Sequence, residues 1–433
     1  MAGFPHRGPY ALSHPRGCSP ANERDSAHVG ANVGRQKVLT VQRQTQRSVP
    51  FFDYKKVFSE KEERYLQIVR DVMRRGAFIL QQDLAEFEAK LARYVGVAHA
   101  VGVGSATDAL VFTLRSLDIG AGDEVIFPSH TMVATPAAVV FTGGTPVPVE
   151  CGSDHLIDPE AVRAAITNRT RVVMPVHLNG RTASMHVLEE VAEASDLLIV
   201  EDAAQALGAR YGDRRAGSFG RAAAFSFYPA KSLGCLGDGG AVVTNDDLVA
   251  DRVRQYRDHG RGPDGEVMTW GLNSRLDNLQ AAILNEQLGD YDAAVTKRRR
   301  LARVYAECLG DLAEVSLPPG PDEQSPHFDI FQNYEVEAES RDALRDFLNT
   351  QGIGTLIQWG GRAVHQIKAL GFQASLPVTE RLFTRCLLLP MNTTLSEVDV
   401  EYVCRSVRAF YRGPAQRSRR SGSGTGEDGH IRE

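Results

Sequence analysis

Short apolar runs punctuated by turn-forming residues dominate the chain between residues 99 and 244. The runs 99–103, 124–128, 146–149, 171–177, 197–201, 222–228 and 241–244 have strand length and are rich in Val, Ile, Phe and Ala. Between several of them the apolar positions return at helical spacing, as in 159–166 and 185–194. Apolar strands alternating with helices predict a mainly parallel sheet covered on both faces, an α/β fold. Upstream, Tyr65, Ile68, Val69 and Val72 predict a helix over 61–74 that Gly76 ends, and Leu84, Phe87 and Leu91 predict a second over 83–94. Downstream the pattern changes. Residues 331–338 alternate like a half-exposed strand, 341–350 read as an amphipathic helix, and Val398, Val403, Val407 and Phe410 mark a closing helix. Together these predict a smaller α+β unit beside the sheet.

A parallel sheet also locates chemistry, because ligands bind at the carboxyl ends of its strands. The polar residues at those ends are Ser129-His130-Thr131, His177, Glu201-Asp202 and Ser226. After the first run, Gly104-Ser-Ala-Thr-Asp-Ala-Leu110 passes from strand to helix through small residues. Free backbone N–H groups there suit a phosphate, although the same residues make an ordinary N-cap. The pattern is neither GxGxxG nor a P-loop. Asp202, directly after an apolar run, is either the cap of a following helix or the partner of a buried cation. Lys231 lies between the run 222–228 and the glycine-rich turn that reaches Gly240. Desolvation there lowers the amine's pKa, as condensation with an aldehyde requires; a solvated lysine at a strand end is the plain alternative.

Composition narrows the classes. The 433 residues suffice for a large domain with a smaller partner, and 42% hydrophobic and 24% charged residues are ordinary for a soluble globular protein. A net charge of -5 argues against nucleic-acid binding, and the absence of a long apolar run argues against a membrane span. Cys18, Cys151, Cys235, Cys308, Cys386 and Cys404 show no metal-ligand spacing, so no metal is expected, and they read as reduced thiols of a cytoplasmic protein. Residues 1–48 are Arg-rich with only Glu23 and Asp25 as acids and lack the apolar core of a secretory leader. The expected organisation is a disordered extension (1–48), a large domain (49–295), a small C-terminal domain (296–411) and a disordered tail (412–433).

Taken in order, Ser105-Ala-Thr-Asp-Ala-Leu110, Pro128-Ser-His-Thr-Met-Val-Ala-Thr135, Val176-His-Leu-Asn-Gly180, Glu201-Asp-Ala-Ala-Gln205, Ser226-Phe-Tyr-Pro-Ala-Lys231, Gly237-Asp-Gly-Gly240 and Gly271-Leu-Asn-Ser-Arg275 resemble the DegT/DnrJ/StrS aminotransferases. The resemblance runs from about Phe51 to about Tyr411. It implies the fold of type I pyridoxal-phosphate (PLP) enzymes, and an aminotransferase that moves an amino group from glutamate to a keto-sugar, nucleoside-diphosphate-linked, in amino-sugar biosynthesis. By the same resemblance Lys231 forms the Schiff base with PLP and carries protons. Asp202 faces the pyridine nitrogen, and Gln205, placed near the same helix face as Asp202, reaches the ring hydroxyl. Ser226, Ala106 and Thr107 hold the phosphate. Asn273 reaches toward the phosphate of a partner subunit, which implies a homodimer with shared active sites.

Met132 stands where the family commonly stacks an aromatic ring on the cofactor, and packing by its sulfur or a plain core role both fit. Asn179 replaces a common tyrosine. Trp359, Arg362 and His365 lie in a segment that the family uses at the substrate mouth, and with His177 and Asn179 they are the candidate substrate residues; Trp359 and Arg362 also read as a rim residue and a surface charge. Alternatives are amination of a keto-cyclitol and a PLP-bound regulator without turnover. Sugar dehydration is disfavoured, since the dehydrating relatives carry histidine in place of the lysine.

Overall fold

The computed structural model describes residues 47–413, so the extensions expected at 1–48 and 412–433 fall almost wholly outside the described residues. Seven strands build the main sheet: β1 (His99–Val103), β2 (Glu124–Pro128), β3 (Thr145–Val149), β4 (Thr170–Val173), β5 (Leu198–Asp202), β6 (Ala222–Ser226) and β7 (Gly240–Thr244). Their spatial order is β1-β7-β6-β5-β4-β2-β3. The five strands from β6 to β3 are parallel, while β7 runs antiparallel to both β6 and β1. The α/β expectation therefore holds, with one reversed strand.

Successive side chains on a strand point to opposite faces, and here each face has its own core. Ala223, Phe225, Ala241 and Val243 pack with Leu84, Phe87 and Leu91 of the helix Gln82–Val95. Ala222, Ala224 and Val242 pack on the other face with Leu110, Phe112 and Leu114 of the helix Ala106–Ser116. Two strands end earlier than their apolar runs. The β4 run reaches 177, but Pro175 has no N–H to donate, and past it only the bridge between Val176 and Asp202 remains.

A second sheet consists of β8 (Val315–Ser316), β9 (Tyr334–Ala338) and β10 (Cys386–Leu389), with β9 in the middle and both pairings antiparallel. It packs with the helices Arg341–Thr350 and Glu397–Arg412. The expected half-exposed strand is instead buried at Tyr334, Glu335, Val336 and Ala338. Its alternation is real, but Glu335 is turned against loops of the main sheet rather than water. The closing helix buries Val400, Val403, Cys404, Val407 and Tyr411 and leaves Val398 52% exposed, so its apolar stripe is rotated from the expected one. The helix Tyr291–Leu309 crosses residue 295, with Tyr291 and Val295 in one core and Leu301, Tyr305 and Leu309 in the other. Among the described residues no helix is long and apolar enough to cross a membrane.

Candidate active site

At the carboxyl ends of β5 and β6 lies a cavity of about 380 Å³. Its wall combines the start of the helix Ala106–Ser116 (Ser105, Ala106, Thr107), the segment after β2 (Thr131, Met132), Asp202, Gln205, Ser226, Lys231 and Trp359. Met132, 51% exposed, therefore belongs to the cavity and not to the core.

The backbone after β6 fixes the lysine. Tyr228 to Lys231 form a tight turn closed by the Lys231 N–H donating to the Tyr228 carbonyl at 2.8 Å. Gln332 then clasps the turn, accepting from the Ser232 N–H at 2.5 Å and donating to the Ala230 carbonyl at 2.9 Å. Lys231 makes no ion pair with any described residue. Burial pushes its amine down to about 8, and the charge of Asp202 only partly opposes this. Burial likewise raises the carboxyl of Asp202 against the hydrogen bonds it receives: Thr135 Oγ1 donates at 2.8 Å and the Ala204 N–H at 3.2 Å. Thr131 stands behind Thr135 at 2.7 Å. Of the two acids that end β5, only Asp202 faces the cavity. Glu201 is fully occupied by the N–H groups of Gly217, Phe219 and Gly220 and by His177.

No helix follows Asp202. Residues 203–208 form successive turns, closed by Ala206 N–H to the Ala203 carbonyl and Ala209 N–H to the Ala206 carbonyl. Gln205 reaches the cavity from this turn rather than from a helix face. Its Oε1 accepts from the Asn179 N–H at 2.9 Å and from Asn333 Nδ2 at 3.3 Å. At the other end Ser105 caps the helix, its Oγ accepting from the Asp108 N–H at 3.1 Å. The cap leaves the helix start open to the cavity, which Ala106 and Thr107 still line. Gly240 allows this approach: a Cβ there would stand 2.4 Å from the Ser105 carbonyl carbon.

The candidate substrate residues divide. Trp359, in left-handed backbone at φ 48°, lines the cavity and packs edge-on to His130 with ring centroids 5.3 Å apart. Asn179 also adopts φ 55°, and it lines a small adjoining cavity with His155, Arg181, Asn333 and Glu335. His177 and His365 are buried and turned into the scaffold. The Ala183 N–H donates to His177 Nδ1 while its Nε2 bonds Glu201, and His365 joins Ser129 Oγ at 2.6 Å and Glu380 at 3.1 Å. Arg362 is exposed and outside the cavity wall. Asn273 is exposed too, but the adjacent Ser274 donates to Asp108 at 2.8 Å, which ties this segment to the helix start. Thr135, Gln332, Asn333 and Glu335 carry no site role in the sequence reading. Only Thr135 lay inside a motif there, and the other three gain their place by contacts across the two sheets.

A mixed, mainly parallel sheet with a desolvated lysine and a carboxylate sharing a cavity at its strand ends fits the type I fold of PLP-dependent enzymes. The chain belongs to the DegT/DnrJ/EryC1/StrS aminotransferase family, whose sequence model matches residues 59–408. Among curated relatives it is 44% identical over 367 residues to dTDP-3-amino-3,4,6-trideoxy-alpha-D-glucose transaminase of Streptomyces venezuelae, covering 84% of this chain and 96% of that protein. Among solved structures, S. venezuelae DesV in complex with a ketimine intermediate superposes with a TM-score of 0.81 at 42% identity, over 84% of this chain and 99% of that one. NtdA from Bacillus subtilis with bound PMP superposes with a TM-score of 0.76 at 26% identity, over 85% and 86%.

Proposed function

We propose that the protein transfers an amino group from glutamate to a keto-sugar carried on a nucleoside diphosphate, using PLP held on Lys231, as a cytoplasmic homodimer. The observation that carries this reading is the half-buried Lys231, its amine lowered to about 8, sharing a cavity with the carboxylate of Asp202. The donor set fits the cofactor group by group. An amine poised near neutrality suits an aldehyde, an anion suits a ring nitrogen, an amide suits a ring hydroxyl, and the first N–H groups of a helix with Ser226 suit a phosphate. When bound, PLP supplies an electron sink that stabilises negative charge on the substrate carbon.

The chain's own residues do the rest. Thr135 and the Ala204 N–H hold Asp202 in place, so that its charge favours a protonated ring nitrogen. Lys231 would hold the cofactor's aldehyde carbon, and its free amine, confined to the cavity, would be the base and acid within reach of the substrate carbon. Trp359 and Met132 flank the cavity where a sugar enters. The dimer is supported by the segment that precedes Asn273, where Val267, Met268, Trp270 and Leu272 are all exposed and Trp270 reaches 88%.

The test is spectroscopic. Purified protein loaded with PLP is expected to lose its visible band on addition of glutamate and regain it on addition of a nucleoside-diphosphate keto-sugar. A band indifferent to glutamate, or restored by inososes but by no sugar nucleotide, overturns the reading. Light scattering that finds a monomer at assay concentration removes the shared site.

A further inference from the structure

Behind the cofactor cavity a chain of side-chain amides runs from Gln205 to a buried carboxylate in the second sheet. Each link has a fixed direction. Glu335, 3% exposed in β9, accepts from Gln358 Nε2 at 2.7 Å. The same Nε2 donates to Asn179 Oδ1 at 2.8 Å, and Asn333 Nδ2 donates to that oxygen at 2.8 Å. Asn333 Nδ2 and the Asn179 N–H both point at Gln205 Oε1. An amide that presents its oxygen to two donors has its nitrogen on the other side. Gln205 Nε2 donates to no described residue, and Gln205 lines the cavity.

We infer that Glu335 is a positioning residue: as an obligate acceptor at the far end of the amide chain, it anchors Gln358 on Asn179, and so holds in place the Asn179 N–H and the Asn333 amide that together make Gln205 offer its own N–H to the cofactor. An ionised carboxylate has no proton to donate, so Gln358 must turn its nitrogen toward it; the Asn179 side-chain oxygen then takes Gln358 and Asn333, and Asn333 Nδ2 joins the Asn179 backbone N–H, a donor that cannot turn, at Gln205 Oε1. Glu335 is kept ionised where it lies. Burial raises its carboxyl, but His130 and His155 outweigh that, and the net direction is down. His155 Nδ1 sits 2.7 Å from Oε1 and His130 Nε2 3.6 Å from Oε2. The second sheet thereby reaches the cofactor without touching it. An amide in place of the carboxylate can donate as well as accept, and the chain loses its single polarity.

The inference rests on the PLP reading, and one experiment separates the two. The full-length wild-type protein, Glu335→Gln, Gln205→Ala and the double variant are stripped of cofactor and titrated with pyridoxal phosphate, following the visible band and the pH at which it titrates. If wild type forms no such band, the cofactor reading fails. If it does, Glu335→Gln is expected to weaken apparent affinity about tenfold, the loss of one hydrogen bond to a charged oxygen. The band's pH midpoint should move up, since an N–H aimed at the ring oxygen favours the deprotonated form. The double variant should be no worse than Gln205→Ala alone, because both changes remove the same interaction. Additive effects, or a lowered melting temperature with an unmoved midpoint, overturn the inference. Gln358→Met severs the chain one link nearer the cavity and goes through the same cycle, so a Glu335→Gln protein that fails to fold does not end the test.

Discussion

Lys231, half-buried, and Glu335, buried, are both desolvated ionisable groups with an opposite partner nearby, yet their surroundings drive them in contrary directions. Lys231 shares a cavity with Asp202 but bonds to no described side chain, and burial pulls both groups toward their neutral forms. Glu335 touches His155 at 2.7 Å and Gln358 at 2.7 Å, and His155 also meets Glu337 at 3.3 Å, which Arg385 in turn holds at 3.2 Å. There burial pushes the His155 imidazole down, but the two carboxylates outweigh it and raise it to about 9, so the pair stays charged. A buried charge that is saturated with hydrogen bonds is a structural joint. One left short of partners is available for chemistry.

The sharpest way to break this contrast is Lys231→Ala, which removes the amine proposed to react and should lower turnover at least about a thousandfold in a steady-state assay, with the fold intact by circular dichroism. Asp202→Asn keeps the shape but not the charge, and kcat should fall by about two orders of magnitude while the cofactor still binds. On the other side, Glu335→Leu leaves His155 charged, half-buried and without its main partner. It should cost about 3 kcal/mol in denaturant unfolding. It should also flatten the pH profile of stability. The folded value of His155 lies above its ordinary 6.5, so its contribution is whole below about pH 6.5 and drains away as pH rises through about 9 in the wild type. The smallest effect concerns the lysine's titration. Its amine is nucleophilic only when neutral, so cofactor uptake by apoprotein should speed up severalfold as pH rises through about 8 and then level off, by stopped-flow absorbance.

The two regions were not equally legible in the sequence. Lys231, Asp202, Gln205, Ser226, Ala106 and Thr107 sit at strand ends or turns marked by hydrophobic runs, and the cavity gathers all six. His177 and His365 sit in comparable motifs but face inward, because a strand's end does not announce which of two neighbouring polar groups the scaffold will claim. The Glu201–Asp202 pair shows the same thing. The N–H groups that occupy Glu201 come from the turn at 217–220, and nothing in the local sequence marks them as its partners.

What the sequence determined by itself is the periodicity and hence the layers: apolar runs of strand length and helices of matching spacing leave one economical burial, a two-faced sheet with its chemistry at one edge. What only the tertiary structure decided is the state of each polar group. Whether Glu335 is a surface residue on an alternating strand or a buried anchor for an amide chain depends on Gln358, His130 and His155, none of them near it in the chain. Whether Lys231 is solvated depends on how Gln332 pins its turn. Ionisation and hydrogen-bond direction are properties of the assembled neighbourhood, since desolvation and partner geometry exist only after distant segments meet.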